Sequence, residues 1–229
     1  MRGVLAGLAG AETEEPSMST IDPNAELKAR IAEIRERFAA ESKDGKLTVR
    51  RDDGLYRHLE VEMPKSSAYW FEVMTWPGAL AITGHTGSYV FRRDENMLAF
   101  FRSCEATGSG WKVDTRYWAE KVQPHGERDV QRYAEDRVRA YIKQAAEESE
   151  AAHPGLVAEV EVELFSRYSN ADLETEAGAK AALAAFEFDG FRFNTTGWEF
   201  TEYDYWFLYT CQAIAWTVAQ YDTALTPAA

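Results

Sequence analysis

The chain has 229 residues, enough for one large domain or two small ones, and its 45% hydrophobic content with 12 Phe, 11 Tyr and 7 Trp excludes general disorder. Its formal net charge of −13 argues against nonspecific nucleic-acid binding, which depends on cationic side chains that neutralise phosphates. The only cysteines, Cys104 and Cys211, allow one bridge but no disulfide framework, so a reducing cytoplasm is the expected location.

The first 17 residues are expected to be a disordered leader. Arg2 and the apolar stretch 3–11 imitate a signal peptide, but glycines dilute the stretch. A mobile or misannotated leader with the true start near Met18 is the favoured interpretation and signal function is the alternative, so the sequence leaves the start open between Met1 and Met18. Residues 18–229 are expected to form a single α+β domain, because no internal repeat or low-complexity linker divides them.

The next patterns predict a helix and then a sheet. Leu27, Ile31, Ile34 and Phe38 recur at helical spacing between charged residues and predict an amphipathic helix over 24–42. From residue 46 to 92 the apolar period changes to two and turn signals recur, which predicts an antiparallel meander of about five strands. The expected strands are Leu47–Arg50, Leu55–Met63, Tyr69–Trp76, Ala79–Thr83 and Ser88–Arg92.

Helices are expected to dominate after the meander. Val157–Phe165 matches both a strand pattern and a helix pattern, and the Ala- and Glu-rich neighbourhood favours a helix. Phe191–Phe193 is expected to be a brief strand. The other expected helices are Glu95–Ser103, Thr115–Val122, Glu127–Ala152 and Leu173–Phe186.

The C-terminal segment carries the clearest helical pattern. A second apolar face with Tyr209, Ala213 and Trp216 indicates that this aromatic helix is buried. The uncharged stretch Tyr205–Tyr221 reaches only the lower limit for a membrane span and lacks basic flanks, so no membrane contact is expected. The first apolar face comprises Phe200, Tyr203, Phe207, Cys211, Ile214, Val218 and Tyr221.

The most tempting catalytic motif is Gly84-His85-Thr86-Gly87. A histidine in an exposed loop titrates near neutral pH and suits acid–base chemistry with a carboxylate such as Asp53 or Glu72. The favoured interpretation is a hairpin turn whose glycines allow positive φ. The four histidines lack metal-ligand spacing and no cofactor motif is present, so neither a metal nor a cofactor is expected.

Negative charge is concentrated in the last third of the chain. Residues 145–229 hold fifteen acidic and three basic side chains, and therefore twelve of the thirteen net negative charges. These acids either form an ordinary solubilising surface or imitate a row of phosphates that fits a basic groove. The candidate binding residues are Glu147, Glu148, Glu159, Glu161, Glu163, Glu174 and Glu176.

The meander, in contrast, is locally basic. Its arginines either bind an acidic partner or pair with the acidic C-terminal half, and internal pairing is the favoured interpretation. The arginines concerned are Arg50, Arg51, Arg57, Arg92 and Arg93.

Several blocks together resemble a family of uncharacterised proteins encoded by tailed bacteriophages and prophages. The blocks are Leu55–Leu59, Tyr69–Phe71 with Thr75–Gly84, Gly87–Arg93 with Met97 and Phe100–Phe101, Tyr117–Lys121, and the aromatic end from Tyr203 to Asp222. The resemblance spans about Leu47 to Asp222 and brings no established catalytic residue. The family commonly has an acidic residue where this chain has His85, which argues against catalysis there. The resemblance implies a phage accessory protein in a bacterial host cytoplasm, and no reaction.

Three hypotheses about function follow. The leading one is a noncatalytic phage or prophage accessory protein whose acidic helices bind a basic surface of a host protein, such as a defence or nucleic-acid-processing factor. The second is an enzyme of unfamiliar type that uses His85 with a nearby carboxylate. The third is a structural or oligomeric scaffold, suggested by the many aromatic residues. The sequence leaves the oligomeric state open.

Overall fold

The computed structural model describes residues 21–66, 68–102, 104–107 and 110–225. The expected leader and Met18 lie outside these residues. Within these residues the chain forms an antiparallel five-stranded sheet. Helices precede the sheet and follow it along the chain. The α+β fold class expected from the sequence is confirmed.

Helix α1, Pro23–Glu41, begins at a side-chain cap. The Asp22 carboxylate accepts a hydrogen bond from the Asn24 amide at 2.9 Å, and proline is suited to the first helical position because no donor is needed there. Ile34 and Phe38 are buried on the inner side of the helix. A 3₁₀ turn, Ser42–Asp44, then leads into the sheet.

The sheet is a meander in which each strand pairs with the next along the chain. Leu59 lies opposite Val73, which lies opposite Ile82, and all three are fully buried on the inner face. The outer face carries the exposed rings of Trp70 and Trp76. The strands are β1 (Lys46–Asp53), β2 (Tyr56–Glu62), β3 (Trp70–Trp76), β4 (Ala79–Gly84) and β5 (Gly87–Phe91).

Short elements connect the sheet to the larger helices. They are α2 (Met97–Phe101), the hairpin of β6 (Glu105–Thr107) and β7 (Gly110–Lys112), α3 (Thr115–Ala119), a 3₁₀ helix (Gly126–Val130) and β8 (Gln131–Tyr133). The outer edge of β5 is covered, because the Arg92 amide donates to the Lys121 carbonyl and the Gln123 amide donates to the Val90 carbonyl. This edge is therefore closed to further strand pairing.

Helix α7, Tyr205–Leu225, lies at the centre of the main core. It contacts α1, β1, α2 and α3, and Phe207, Tyr209 and Ile214 are fully buried. The predicted buried aromatic helix is confirmed, although it begins five residues after Phe200 because Thr201–Tyr203 forms strand β9. Among the helices of the described ranges, none is long and apolar enough to cross a membrane.

A second core is built from the remaining helices. They are α4 (Glu135–Ser149), α5 (Leu156–Val160), which continues as a π-helix over Glu161–Phe165, and α6 (Glu176–Ala185). Val138, Leu156 and Leu183 pack together there, and Trp198 stacks on Tyr141 with ring centroids 5.0 Å apart. The single-domain organisation of residues 18–229 stays a prediction.

The predicted helix Glu127–Ala152 is wrong in its first third. Gln131 and Tyr133 pair with Tyr203 and Thr201 in a two-stranded sheet, and the Asp204 amide donates to the Val130 carbonyl at 2.8 Å. This pairing with a segment 70 residues away overrides the local helical pattern, so α4 begins only at Glu135. The helix favoured over Val157–Phe165 is confirmed, whereas Phe191 forms only an isolated bridge with Phe188.

Candidate interaction surface

The acidic helix α5 is held in place by a carboxylate of the preceding turn. Glu150 accepts hydrogen bonds from the amides of Gly155 and Val157, each at 2.8 Å. These backbone donors lower the pKa of Glu150 below its usual value. Gly155, with φ of 95°, lies in the left-handed region at the turn into α5. The turn therefore presents α5 in one orientation against α4.

Most of the candidate glutamates face solvent. Val160 and Leu164 are buried in the second core, and the polar residues between them lie on the outer side of the same helical segment. Glu159 and Glu176 are half-buried. The exposed candidates are Glu147, Glu148, Glu161, Glu163 and Glu174.

The negative charge of these residues is largely uncompensated. Of the seven candidates, only Glu176 forms an ion pair within the described residues, with Lys180 at 2.5 Å. Glu148 accepts a hydrogen bond from the neutral amide of Gln144. Two further cations lie four residues from one of these glutamates: the Lys143 ammonium is 5.2 Å from the centre of the Phe165 ring, and the Arg167 guanidinium carbon is 4.6 Å from the centre of the Tyr168 ring. We call the seven glutamates the acidic surface.

The expected pairing of the basic meander with the acidic C-terminal half is wrong. Four of the five meander arginines bind acidic neighbours within their own region, because strand pairing and short turns bring these partners close. Arg92 has no ion pair among the described residues. The pairs are Arg50 with Glu60, Arg51 with Asp53 at 3.0 Å, Arg57 with Asp52 at 3.5 Å and Arg93 with Asp94 at 3.8 Å. These arginines therefore do not pair with the acidic surface.

His85 lies in the exposed hairpin turn between β4 and β5. Its ring contacts those of Tyr69 and Trp70, with centroids 5.3 and 6.0 Å away. Its two candidate carboxylate partners are engaged elsewhere, Glu72 with His58 at 3.1 Å and Asp53 with Arg51. The structure thus brings aromatic rings, and neither of these acids, to His85.

Two further His–carboxylate pairs lie outside the acidic surface. Glu72 and His58 form a pair on the outer sheet face, and His125 pairs with Asp129 at 2.9 Å. Hydrogen bonds from His125 lower the pKa of Asp129. In the described part of the chain, no group of three or more His, Cys, Asp or Glu side chains is arranged to hold a metal ion.

The structure also contains a cleft that no sequence pattern indicated. It has a volume of about 440 Å³ and lies between α1, α3, α6 and β9. Arg137 joins its walls, because its Nε donates to Glu26 at 2.7 Å and its Nη1 donates to the Thr201 carbonyl at 3.0 Å. The residues that line the cleft come from segments up to 180 residues apart in sequence, so only the folded chain assembles the cleft.

Glu202 is the most heavily paired acid of this cleft. It accepts from Arg30 at 2.9 Å and from Arg132 at 2.8 Å. Burial works to raise the pKa of Glu202, but the two arginines outweigh it and lower that pKa. Glu202 is therefore ionised, and its carboxylate is occupied by two arginines of the protein.

Comparisons of the chain with protein-family models, with curated proteins and with solved structures found no match.

Proposed function

We propose that this chain is a noncatalytic phage or prophage accessory protein that binds a basic surface of a host protein through its acidic surface. The observation that carries the proposal is the lack of compensating charge. Six of the seven glutamates have no ion pair within the described residues, and five are exposed. Lys143 and Arg167, each four residues from one of these glutamates, contact aromatic rings and form no ion pair with the glutamates within the described residues.

Two physical effects favour such binding. Negative charge attracts a basic partner over a distance of about 10 Å at 0.1 M salt, which accelerates encounter. Capping of α5 by Glu150 fixes the helix before binding, so little ordering entropy opposes association. The cytoplasm of the bacterial host, and a defence or nucleic-acid-processing factor as partner, belong to this proposal.

The test is capture of partners from bacterial lysate at low and high salt. Captured proteins are identified, purified and titrated against the wild type and against a triple variant, Glu159→Lys, Glu161→Lys and Glu163→Lys. We expect the variant to bind at least about tenfold more weakly, and wild-type binding to weaken with salt because screening shortens the range of attraction.

The matched control is Glu33→Lys, Glu36→Lys and Glu62→Lys. It changes the net charge equally at exposed acids of α1 and β2, outside the acidic surface. Equal loss of affinity in both triple variants would show that affinity depends on net charge and not on the acidic surface. Binding that ignores both salt and the first triple variant would refute the proposal.

A further inference from the structure

Charge inside the cleft is incompletely paired. Five glutamates and four basic side chains line it, and Glu26, Glu176 and Glu202 have cationic partners. Glu127 accepts hydrogen bonds from the neutral hydroxyl of Tyr203 and the amide of Gln131. Two carboxylates of the lining, Glu127 and Glu199, thus have no ion pair among the described residues.

Most of the basic residues that line the cleft already pair with a carboxylate of the protein. Arg30, Arg137 and Lys180 all lie within 3 Å of a carboxylate. Arg116 donates to the Asn24 side-chain oxygen at 2.6 Å and has no ion pair in the described ranges. The cleft therefore offers two unpaired carboxylates and one unpaired guanidinium, which favours a cationic guest with a neighbouring acceptor group.

One wall already holds a cation of the protein itself. The Lys180 ammonium lies 5.1 Å from the centre of the Phe200 ring and 2.5 Å from Glu176. A cation over an aromatic face beside a carboxylate is a favourable arrangement. Lys180 thus shows which chemistry this wall accommodates.

The adjoining aromatic residue is fixed in place. Trp198 stacks on Tyr141 with an interplanar angle of 26° and lies beside Phe200, with centroids 6.2 Å apart. It is half-buried and lines the cleft next to Glu199. A flat cation that enters here meets rigid rings and an uncompensated acid.

We propose that the cleft binds the guanidinium group of an arginine side chain of the partner, with Glu127 and Glu199 as counter-charges and the half-buried Trp198 ring beside it. Arg116 donates to the backbone carbonyl next to that arginine. Guanidinium is favoured over ammonium because it is flat, stacks on aromatic rings and is weakly hydrated. This inference deepens the proposed function, on which it rests, and names the anchor of the basic partner.

The probe is the peptide acetyl-Gly-Arg-Gly-amide, titrated into the full chain while the indole NMR signals are followed. The control peptide replaces arginine by neutral citrulline of nearly the same shape. We expect the arginine peptide to shift the Trp198 signal and the citrulline peptide to bind at least about tenfold more weakly, because it lacks the charge.

Two single substitutions in the cleft test whether the arginine peptide binds there. Glu199→Gln and Glu127→Gln each remove one charge while retaining size and hydrogen-bonding atoms, and each is expected to weaken the arginine peptide by about fivefold to tenfold. Glu36→Gln, an equal charge change at an exposed position of α1 outside both the cleft and the acidic surface, is expected to leave peptide binding unchanged. Equal affinity for both peptides, or full binding by both cleft variants, would overturn the inference.

The two proposals fail separately. If the acidic-surface triple variant loses the captured partner while the cleft variants keep it, the proposed function stands and the cleft is not the anchor. If the cleft binds the arginine peptide but no salt-dependent partner is found, the site is real and the proposed function is wrong.

Discussion

At the scale of single residues, Glu41 joins three parts of the main core. Its carboxylate accepts hydrogen bonds from Arg37 at 2.8 Å, from the Ser66 hydroxyl at 2.7 Å and from the Tyr209 hydroxyl at 2.6 Å. Burial works to raise the pKa of Glu41, but these hydrogen bonds, led by that from Ser66, lower it. The ionised form therefore stabilises contacts between α1, the segment after β2, and α7.

Replacing Glu41 by Gln is expected to lower the free energy of unfolding at pH 7 by about 1–3 kcal/mol, because hydrogen bonds to a charged acceptor are lost. A lowered pKa in the folded state stabilises the fold above the unfolded pKa of about 4.3, and this contribution disappears as the pH falls through the folded value. Urea unfolding between pH 7 and 3 measures the effect.

The difference between wild type and Glu41→Gln should shrink below about pH 4. Glu36→Gln, at an exposed position of the same helix, is the control and should change stability by less than about 0.5 kcal/mol. A difference that does not vary with pH would show that the charge of Glu41 is not what stabilises the contact.

Gly84 shows that a single residue type can be dictated by a neighbouring strand. Its φ is 153°, and a Cβ atom there would lie 2.6 Å from the Trp70 carbonyl oxygen and 2.7 Å from the Phe71 Cα. From the sequence we expected the two glycines only because a hairpin turn requires positive φ. Close approach of β3 is the additional reason at Gly84.

At the scale of elements, α5 depends on the turn that precedes it. The α5 and π-helical segment is short, and isolated helices of this length are marginal in water. Burial of Leu156, Val160 and Leu164, together with the Glu150 cap, supplies the stability that helix propensity lacks. The order of Glu159, Glu161 and Glu163 therefore depends on this turn.

Replacing Glu150 by Ala is expected to destabilise the protein by about 1 kcal/mol, because two amides at the start of α5 lose their acceptor. Hydrogen exchange of the α5 amides should accelerate more than that of α7. Glu147→Ala removes a nearby exposed acid that caps no helix and is the control. Equal exchange in both variants would contradict the capping role.

Element prediction from the sequence succeeded where the pattern was local. The helix at 24–42 and the five strands within 46–92 match α1 and β1–β5 to within a few residues, since apolar period and turn residues decide them. The helix prediction failed over residues 127–134 because strand β8 forms there by pairing with β9, which lies about 70 residues later. The π-helical turn at Glu161–Phe165 had no signal in the sequence.

At the scale of the whole molecule, Arg137 connects the two cores. It belongs to α4, it is 9% exposed, and it binds Glu26 on α1 and the Thr201 carbonyl of β9. Its Nη2 also lies 3.8 Å from Glu202, which Arg30 and Arg132 share. This network holds the walls of the cleft together.

Replacing Arg137 by Met is expected to lower the free energy of unfolding by about 2–3 kcal/mol, since charged hydrogen bonds are lost while the apolar stem is kept. Arg139→Met removes a half-exposed pair with Glu135 on the same helix and should cost less than about 1 kcal/mol. Urea unfolding followed by fluorescence measures both. Equal losses would mean that Arg137 does not connect the cores.

By itself the sequence determined the α+β class, the sheet meander, the buried C-terminal helix and the concentration of negative charge beyond residue 145. These follow from apolar periodicity and composition, which are local and additive along the chain. Only the tertiary structure decided that four of the meander arginines pair within their own region, that His85 lies among aromatic rings, and that a cleft forms between α1, α6 and β9. Such features depend on distances between residues far apart in sequence, which only packing of the whole chain sets.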